Sequence, residues 1–335
     1  MSLDQLQEFC QSKGESTFCG IQLFEWMYRH GIDSANEMSN LSKSFRETLT
    51  KDCIFKTLSL EKSAPSKFDK SVKFLFCTVD DNFIETVSMV DGVRHTVCLS
   101  SQVGCALGCT FCATGKMGFS RNLSTGEIID QLIYIRCHID QPITNVVFMG
   151  MGEPFQNYEN VLNAADIFHN PKGFNLASSR ITISTVGLLP QIKQFIKEKR
   201  RYKLAISLNA AFDEDRSQIM PINNKWSIAD LVNAGREYSK QKKRQVMFEY
   251  VLLKGVNDSK EDALELARIL KNVDCKINVI PYNDVGGEYT RPSTHDIEKF
   301  VEVLHENRQG YRVLVRWSKG QDITAGCGQL SGQMV

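Results

Sequence analysis

Apolar and polar positions follow three different rhythms along this chain. Up to about residue 60 the apolar positions recur at helical spacing. In residues 20–30 (GIQLFEWMYRH), Ile21, Phe24, Met27 and Tyr28 share one helical face, and residues 40–51 give a second, more polar helix carrying Leu41, Phe45 and Leu49. Together they predict a small helical unit with a modest core of its own. Residues 60–69 (LEKSAPSKFD) are polar with one Pro and read as a linker. The rhythm then shortens. Residues 73–79 and 83–89 are rich in β-branched and aromatic side chains around an acidic turn. Asp91-Gly92 marks a second turn leading into residues 96–100, so a β-meander is expected.

From there strand-like and helix-like runs alternate. The strand-like runs are 95–99, 145–149, 180–184, 203–208, 246–253 and 276–280; the helix-like runs are 125–136, 158–168, 190–197, 228–240, 260–271 and 294–306. The best-marked helix opens on a capping box, Ser124 with Glu127, and lines Ile128, Leu132 and Ile135 along one face. Six strand–helix pairs predict a parallel sheet with helices outside, too few for an eight-fold barrel. The expected fold class is therefore α/β, a partial (β/α)6 TIM-like barrel with a small N-terminal helical domain. A last strand, 311–316, and a glycine-containing tail follow. The expected divisions are 1–62 (helical), 63–94 (meander), 95–310 (partial barrel) and 311–335 (last strand and tail). Chemistry in such folds sits at the C-terminal ends of the strands, so the residues just after each strand matter most.

Composition changes this picture only in places. With 42% hydrophobic and 24% charged residues in 335, the chain is expected to be folded. A net charge of +1 says nothing about a polyanionic partner. Two stretches are locally basic: residues 193–203 hold six cations and one Glu, and 236–244 hold five and one Glu. Either could face a phosphate backbone, or simply end a helix in solvent. The first residues show no charged leader followed by an apolar stretch, and no apolar run approaches a membrane span. A cytoplasmic protein with no membrane partner is expected. Eleven cysteines in such a chain suggest metal or redox chemistry rather than a disulfide framework.

After the first barrel strand comes Cys105-Ala-Leu-Gly-Cys109-Thr-Phe-Cys112. Three thiolates this close can converge on one soft metal centre, and Gly108 lets the loop curl. A zinc site wants four protein ligands, and no nearby Cys or His supplies the fourth, since His95 lies within a strand. Three ligands on a four-iron cube leave one iron open. Buried, unligated cysteines and a zinc ion completed by a distant Cys are the alternatives. Other strand ends are polar: Gly150-Met151-Gly152-Glu153-Pro154, Ser184-Thr185, Ser207-Leu208-Asn209 and Pro281-Tyr282-Asn283. These could bind a ligand or merely cap the next helix.

The C-x3-C-x2-C spacing, with Phe111 before the last Cys, resembles the radical S-adenosylmethionine superfamily, whose partial barrel carries its cluster after the first strand. The likeness goes further. Trp26-Met27-Tyr28, Glu85-Thr86-Val87, residues 98–105 (CLSSQVGC), residues 150–154 (GMGEP), Met220-Pro221-Ile222-Asn223 and Cys327-Gly328-Gln329-Leu330 resemble the RlmN/Cfr family of RNA methyltransferases over nearly the whole chain.

That resemblance implies one 4Fe-4S cluster held by Cys105, Cys109 and Cys112. It implies contacts to S-adenosylmethionine from Gly152, Glu153, Ser184, Ser207, Leu208, Asn209 and Asn283, with two cofactor molecules spent per turnover. Cys327 would carry the methyl group as S-methylcysteine, Cys98 would resolve it through a transient disulfide, and Glu85 would accept the proton. Implied substrates are C2 of an adenine in the peptidyl-transferase region of 23S rRNA and the adenine 3′ of the anticodon in tRNA. A low-potential donor such as flavodoxin or ferredoxin is implied, and a monomer is expected. The helical unit and the basic stretches become candidates to grip RNA.

Without the resemblance, Cys98, Cys327 and Glu85 would read as core or incidental residues. Cys10, Cys19, Cys53, Cys77, Cys137 and Cys275 are read as structural. The chain departs from the family twice: Asn209 stands where His is usual, and Gly326 where Ala is usual. Pro154 favours the C2 enzymes over the Cfr-type enzymes that methylate C8 of the same adenine. A zinc-bound RNA-binding module without catalysis is the alternative of another class.

Overall fold

The computed structural model describes residues 1–242, 244–308 and 310–333. Helix α1 (Leu3–Ser12) opens on a capping box between Ser2 and Gln5 and packs on α2 (Thr17–Phe24). A π-helical turn, Glu25–His30, continues α2, and α3 (Lys43–Asp52) is capped by Ser42. Strands β1 (Leu58–Pro65), β2 (Lys70–Thr78), β3 (Phe83–Asp91) and β4 (Arg94–Leu99) form the expected meander, each antiparallel to the one before. A short ribbon follows, β5 (Gln102–Gly104) with β6 (Phe119–Asn122), enclosing the one-turn helix α4 (Ala113–Lys116).

The barrel units then run in order: α5 (Thr125–His138), β7 (Asn145–Phe148), α6 (Tyr158–His169), β8 (Ile181–Thr185), α7 (Leu189–Lys197), β9 (Lys203–Ser207), α8 (Asp213–Ile219), α9 (Ile228–Lys242), β10 (Val246–Leu252), α10 (Lys260–Ile269), β11 (Cys275–Pro281), α11 (Thr294–Asn307) and β12 (Arg312–Val315). One sheet takes the order β1-β2-β3-β4-β7-β8-β9-β10-β11-β12, and every pairing from β4 to β12 is parallel. Among the described residues β1 and β12 do not pair, so the sheet stays open, as a partial barrel requires. The expected capping box of α5 forms, with Ser124 and Glu127 bonding each other's backbone N–H.

Two expectations need correction. Residues 60–69 are not simply a linker, because residues up to Pro65 belong to β1, paired with β2 through a register shift between Leu60 and Lys62. As an edge strand β1 buries little beyond Leu58, and its Glu, Lys and Pro are what exposed edges carry. Its sequence therefore looks like a linker. The helical unit also lacks a core of its own. Leu6, Leu23, Phe24, Phe45 and Leu49 belong to the same continuous core as Phe76 of the meander and Ile129 and Leu132 of the barrel. Polar contacts fasten the junction: Arg136 donates to the Tyr28 carbonyl at 2.6 Å, and the Thr57 N–H and hydroxyl donate to Asp130 at 2.5 and 2.6 Å.

Candidate active site

The cysteine loop is held on three sides. The Cys105 N–H donates to the Gly118 carbonyl at 2.7 Å, tying the loop to the β5–β6 ribbon. The Thr110 N–H donates to the Ile219 carbonyl at the end of α8 at 3.0 Å. The Ala113 N–H and the Thr114 hydroxyl donate to the Gly328 and Leu330 carbonyls of the C-terminal tail at 2.7 and 2.6 Å. Gly108 takes the left-handed φ of +63° that its place in the sequence suggested. Burial pushes all three thiols up, Cys105 to about 11, and the neighbouring thiols act the same way on Cys109. Buried sulfurs of this kind become thiolates readily only when a metal supplies positive charge.

Among the described residues no three His, Cys, Asp or Glu converge as the ligands of a single metal ion would. A cluster does not need that, because its ligands sit on different irons. Three soft donors on one constrained loop fit a cubane with an open corner.

Beside this loop, at the C-terminal ends of the strands, lies a cleft of about 150 Å³. Cys109 and Cys112 border it on one side and Cys327 on another. Strand ends supply Ser184, Ser207 and Asn209, and the turn after β7 supplies Gly152 and Glu153. A larger, mostly apolar cavity of about 360 Å³ between the helical unit and α5 contains none of these groups.

Gly152 has φ +93°, and a Cβ there would come within 2.4 Å of the Gln102 Cβ, so only Gly fits. The turn thereby delivers Glu153, whose N–H donates to Gln102 Oε1 at 2.7 Å. The carboxylate accepts from the Phe155 and Val186 N–H groups, both at 2.9 Å. Burial outweighs those bonds and pushes Glu153 up to about 7. A cofactor ammonium would favour its ionised form.

Not every expected contact reaches the cleft. The Leu208 side chain is buried in the core, its N–H donates to the Glu249 carbonyl at 3.0 Å and its carbonyl accepts from Arg216 at 2.8 Å. Asn209 borders the cleft at φ +59°, but its side chain is engaged within the fold: Oδ1 accepts from the Val251 N–H at 2.9 Å and Nδ2 approaches the Met220 sulfur at 3.3 Å. Asn283 donates to the Cys327 carbonyl at 3.0 Å, so it holds the loop carrying that cysteine.

Cys98, buried on β4, and Cys327 border the same small cavity of about 50 Å³. Burial pushes Cys98 up to about 12, and its closeness to Cys327 adds to this. Glu85 is fully buried and lies behind the tail rather than on the cleft. Its Oε2 accepts from the Ser331 and Gly332 N–H groups at 2.6 and 3.0 Å, and Oε1 lies 2.9 Å from the Lys73 ammonium.

The sequence reading missed four residues. Buried Arg216 donates to the carbonyls of Val186, Ser207 and Leu208 and to Asn223 Oδ1, lacing the ends of β8 and β9 to the residues 220–223 motif. Arg316 stands 3.9 Å from Glu249 beside Cys98 and Cys327; an ionised Cys327 sulfur, then the Glu249 carboxylate, would favour its charged form. Lys73 is the fourth. A Lys at an inward position of β2 and an Arg just after β12 were available as signals; for Arg216 and Glu249 nothing local was. The basic stretches lie away from the cleft. Lys203 begins β9 and Arg244 just precedes β10, so both lie at the strand starts, the end opposite the cleft. Arg200 there is paired with Glu198 and Asp166, while Lys243 lies outside the described residues.

Comparison with known proteins agrees with this geometry. Residues 99–267 match the Radical SAM superfamily, and residues 1–55 match the ribosomal RNA large subunit methyltransferase N-terminal domain. The dual-specificity RNA methyltransferase RlmN of Desulfotalea psychrophila is 42% identical over 342 residues, covering 99% of this chain and 93% of that protein. The RlmN of Pelobacter propionicus is 40% identical over 335 residues, covering 100% and 95%. A radical SAM methyltransferase from Sphaerobacter thermophilus, known by crystal structure, has a TM-score of 0.95 at 40% identity, covering 99% of this chain and 98% of that one. No helix among the described residues is long and apolar enough to cross a membrane. With a partial barrel, a three-cysteine loop at its mouth and full-length relatives of this kind, the chain belongs to the RlmN family of radical SAM RNA methyltransferases, a membership that implies a 4Fe-4S cluster and S-adenosylmethionine.

Proposed function

We propose that this enzyme methylates C2 of adenine, in the peptidyl-transferase region of 23S rRNA and 3′ of the anticodon in tRNA, through a methyl group carried on Cys327. One observation supports it above the rest. Cys327 borders both the cleft containing Cys109 and Cys112 and the small cavity containing Cys98. A sulfur so placed can receive a methyl group on one side and be resolved from the other.

Adenine C2 is electron-poor and does not attack a sulfonium methyl, so a radical route is required. When bound, the cluster, held by Cys105, Cys109 and Cys112, supplies the electron that cleaves S-adenosylmethionine to a 5′-deoxyadenosyl radical. Glu153 and the polar ends of β8 and β9 hold the cofactor. Cys327 takes its methyl from a first cofactor molecule, so two are used per turnover. It loses one hydrogen atom from that methyl and bonds through the resulting methylene to C2. The adduct releases one electron, matching the one spent, and Glu85 takes the C2 proton. Cys98 attacks the Cys327 sulfur and breaks the sulfur–methylene bond. The freed carbon takes a proton to become the methyl group, and a Cys98–Cys327 disulfide remains. A cellular dithiol restores both thiols. The enzyme works in the cytoplasm as a monomer, with a flavodoxin- or ferredoxin-type donor.

Mass mapping of 23S rRNA and tRNA from a strain lacking the gene tests this reading. Loss of C2-methyladenosine is expected. Loss of C8-methyladenosine alone would instead assign the Cfr-type reaction. A colourless protein after anaerobic purification, forming no 5′-deoxyadenosine with dithionite and cofactor, would indicate a zinc-bound module.

A further inference from the structure

Lys73 sits on β2 with only 2% of its side chain exposed, and Glu85 on β3 is fully buried. The register sets Lys73 opposite Val87 and Leu75 opposite Glu85, so the two charges are diagonal cross-strand neighbours. Their charged atoms are 2.9 Å apart. The ammonium also donates to the Thr324 hydroxyl at 3.0 Å and approaches its carbonyl at 3.4 Å, three residues before Cys327.

A buried ion pair is a poor stabiliser, because desolvating two charges offsets most of their attraction, and apolar residues of similar volume often serve better. This one lies in a strand pair that a conventional core would fill with Val or Ile. Its two carboxylate oxygens are treated differently. Oε2 is fixed by the Ser331 and Gly332 N–H groups, whereas Oε1 is held by the Lys73 ammonium at 2.9 Å. Lys73 is therefore the group that fixes Oε1, and the same ammonium reaches Thr324 in the segment before Cys327.

We infer that Lys73 is a positioning residue for proton removal: it holds the Glu85 carboxylate in place to take the adenine C2 proton, and it couples that carboxylate to the segment bearing Cys327. In this step the C2–H bond breaks, its electron pair stays in the ring, and the proton passes to the Glu85 carboxylate. Lys73 touches neither RNA nor cofactor. Its link to Thr324 ties the base to the loop that carries the methylene group. Removing the ammonium leaves Glu85 buried without a counter-charge and the Thr324 contact broken.

The inference rests on the roles given to Glu85 and Cys327 above, and the test separates the two. The full-length enzyme, reconstituted anaerobically, is given a transcript of the 23S rRNA peptidyl-transferase region. Covalent protein–RNA adduct and released methylated RNA are then quantified after denaturation. Cys98→Ala lacks the resolving thiol, so it accumulates adduct whatever Lys73 does. Its failure to do so overturns the reading of the cysteines, and the inference with it. Lys73→Met forms the adduct but deprotonates it slowly, so the ratio of adduct to product rises at least about tenfold over wild type. Lys73→Arg, which keeps the charge, brings the ratio back towards wild type. A merely structural Lys73 lowers adduct and product together at the wild-type ratio, and that result overturns the inference. If Lys73→Met does not fold, Lys73→Gln keeps a donor to Thr324 without the charge and is read the same way.

Discussion

A methyl group at position 326 would lie 2.7 Å from both Cγ and Nδ2 of Asn283, the side chain that donates to the Cys327 carbonyl. The glycine that departs from the family pattern is thus fitted to its neighbour. Gly326→Ala should displace Asn283 and cost about 1–3 kcal/mol by overpacking. Combined with Asn283→Ala the cost should be clearly less than additive in denaturant titrations; simple additivity would show that another contact selects Gly. Glu153 gives a second prediction at this scale. Burial raises its folded-state value from 4.5 to about 7, so the stability its neutral form contributes is complete below about pH 4.5 and is lost as pH rises through 7. Between pH 5 and 8 the cofactor-free wild type should lose up to roughly 3 kcal/mol relative to Glu153→Gln. Parallel denaturation midpoints for the two proteins across that range would refute the assignment. The residues visible in the sequence were those whose chemistry is unusual wherever they stand: three spaced thiols, and a Glu in a glycine turn after a strand. Lys73 and Arg316 left only a faint signal, a Lys at an inward strand position and an Arg just after a strand, because their meaning depends on partners brought near only by the sheet.

Among the elements, α8 shows what periodicity misses. It is too short to display a helical repeat, yet its Arg216 is fully buried and satisfies carbonyls at the ends of two strands that border the cleft. Burial pulls its guanidinium down to about 10, still protonated at neutral pH. Arg216→Met would strand those acceptors in the interior and should cost about 3–5 kcal/mol. It should also weaken S-adenosylmethionine binding measured by calorimetry, because Ser207 and Asn209 lose their brace. Unchanged affinity in a destabilised variant would confine Arg216 to a structural role. The barrel strands and long helices were legible, since each buries a face with a clear period and α5 announces its start with a capping box. Strand β1 was not, because an edge strand exposed to solvent carries no hydrophobic alternation to read. The β5–β6 ribbon is set by hydrogen bonds around the cysteine loop, in segments of three and four residues that hold too few positions to show a period.

At the scale of the molecule, the sequence suggests a separate helical unit joined to a barrel, but the packing joins them. Phe24 comes close to Gly173 beyond α6, Arg136 of α5 lies 4.5 Å over the Phe174 ring while donating to the Tyr28 carbonyl, and Glu25 pairs with Lys172 at 3.3 Å. Short-range patterns cannot show this, because each apolar face is satisfied equally well on paper by its own unit. A shared core makes unfolding of the helical unit expose Phe76 of the meander and Ile129 of the barrel, so neither part should melt alone. The three tryptophans allow a direct test, since Trp26 reports on the helical unit and Trp226 on the barrel. Variants retaining only one of them, with the others changed to Phe, should give coincident guanidinium midpoints for the cofactor-free protein. An earlier midpoint for Trp26 would show instead that the helical unit is an independently melting domain. Its contacts with the barrel would then be a dockable interface, and the apolar cavity between them a gap that opens with it.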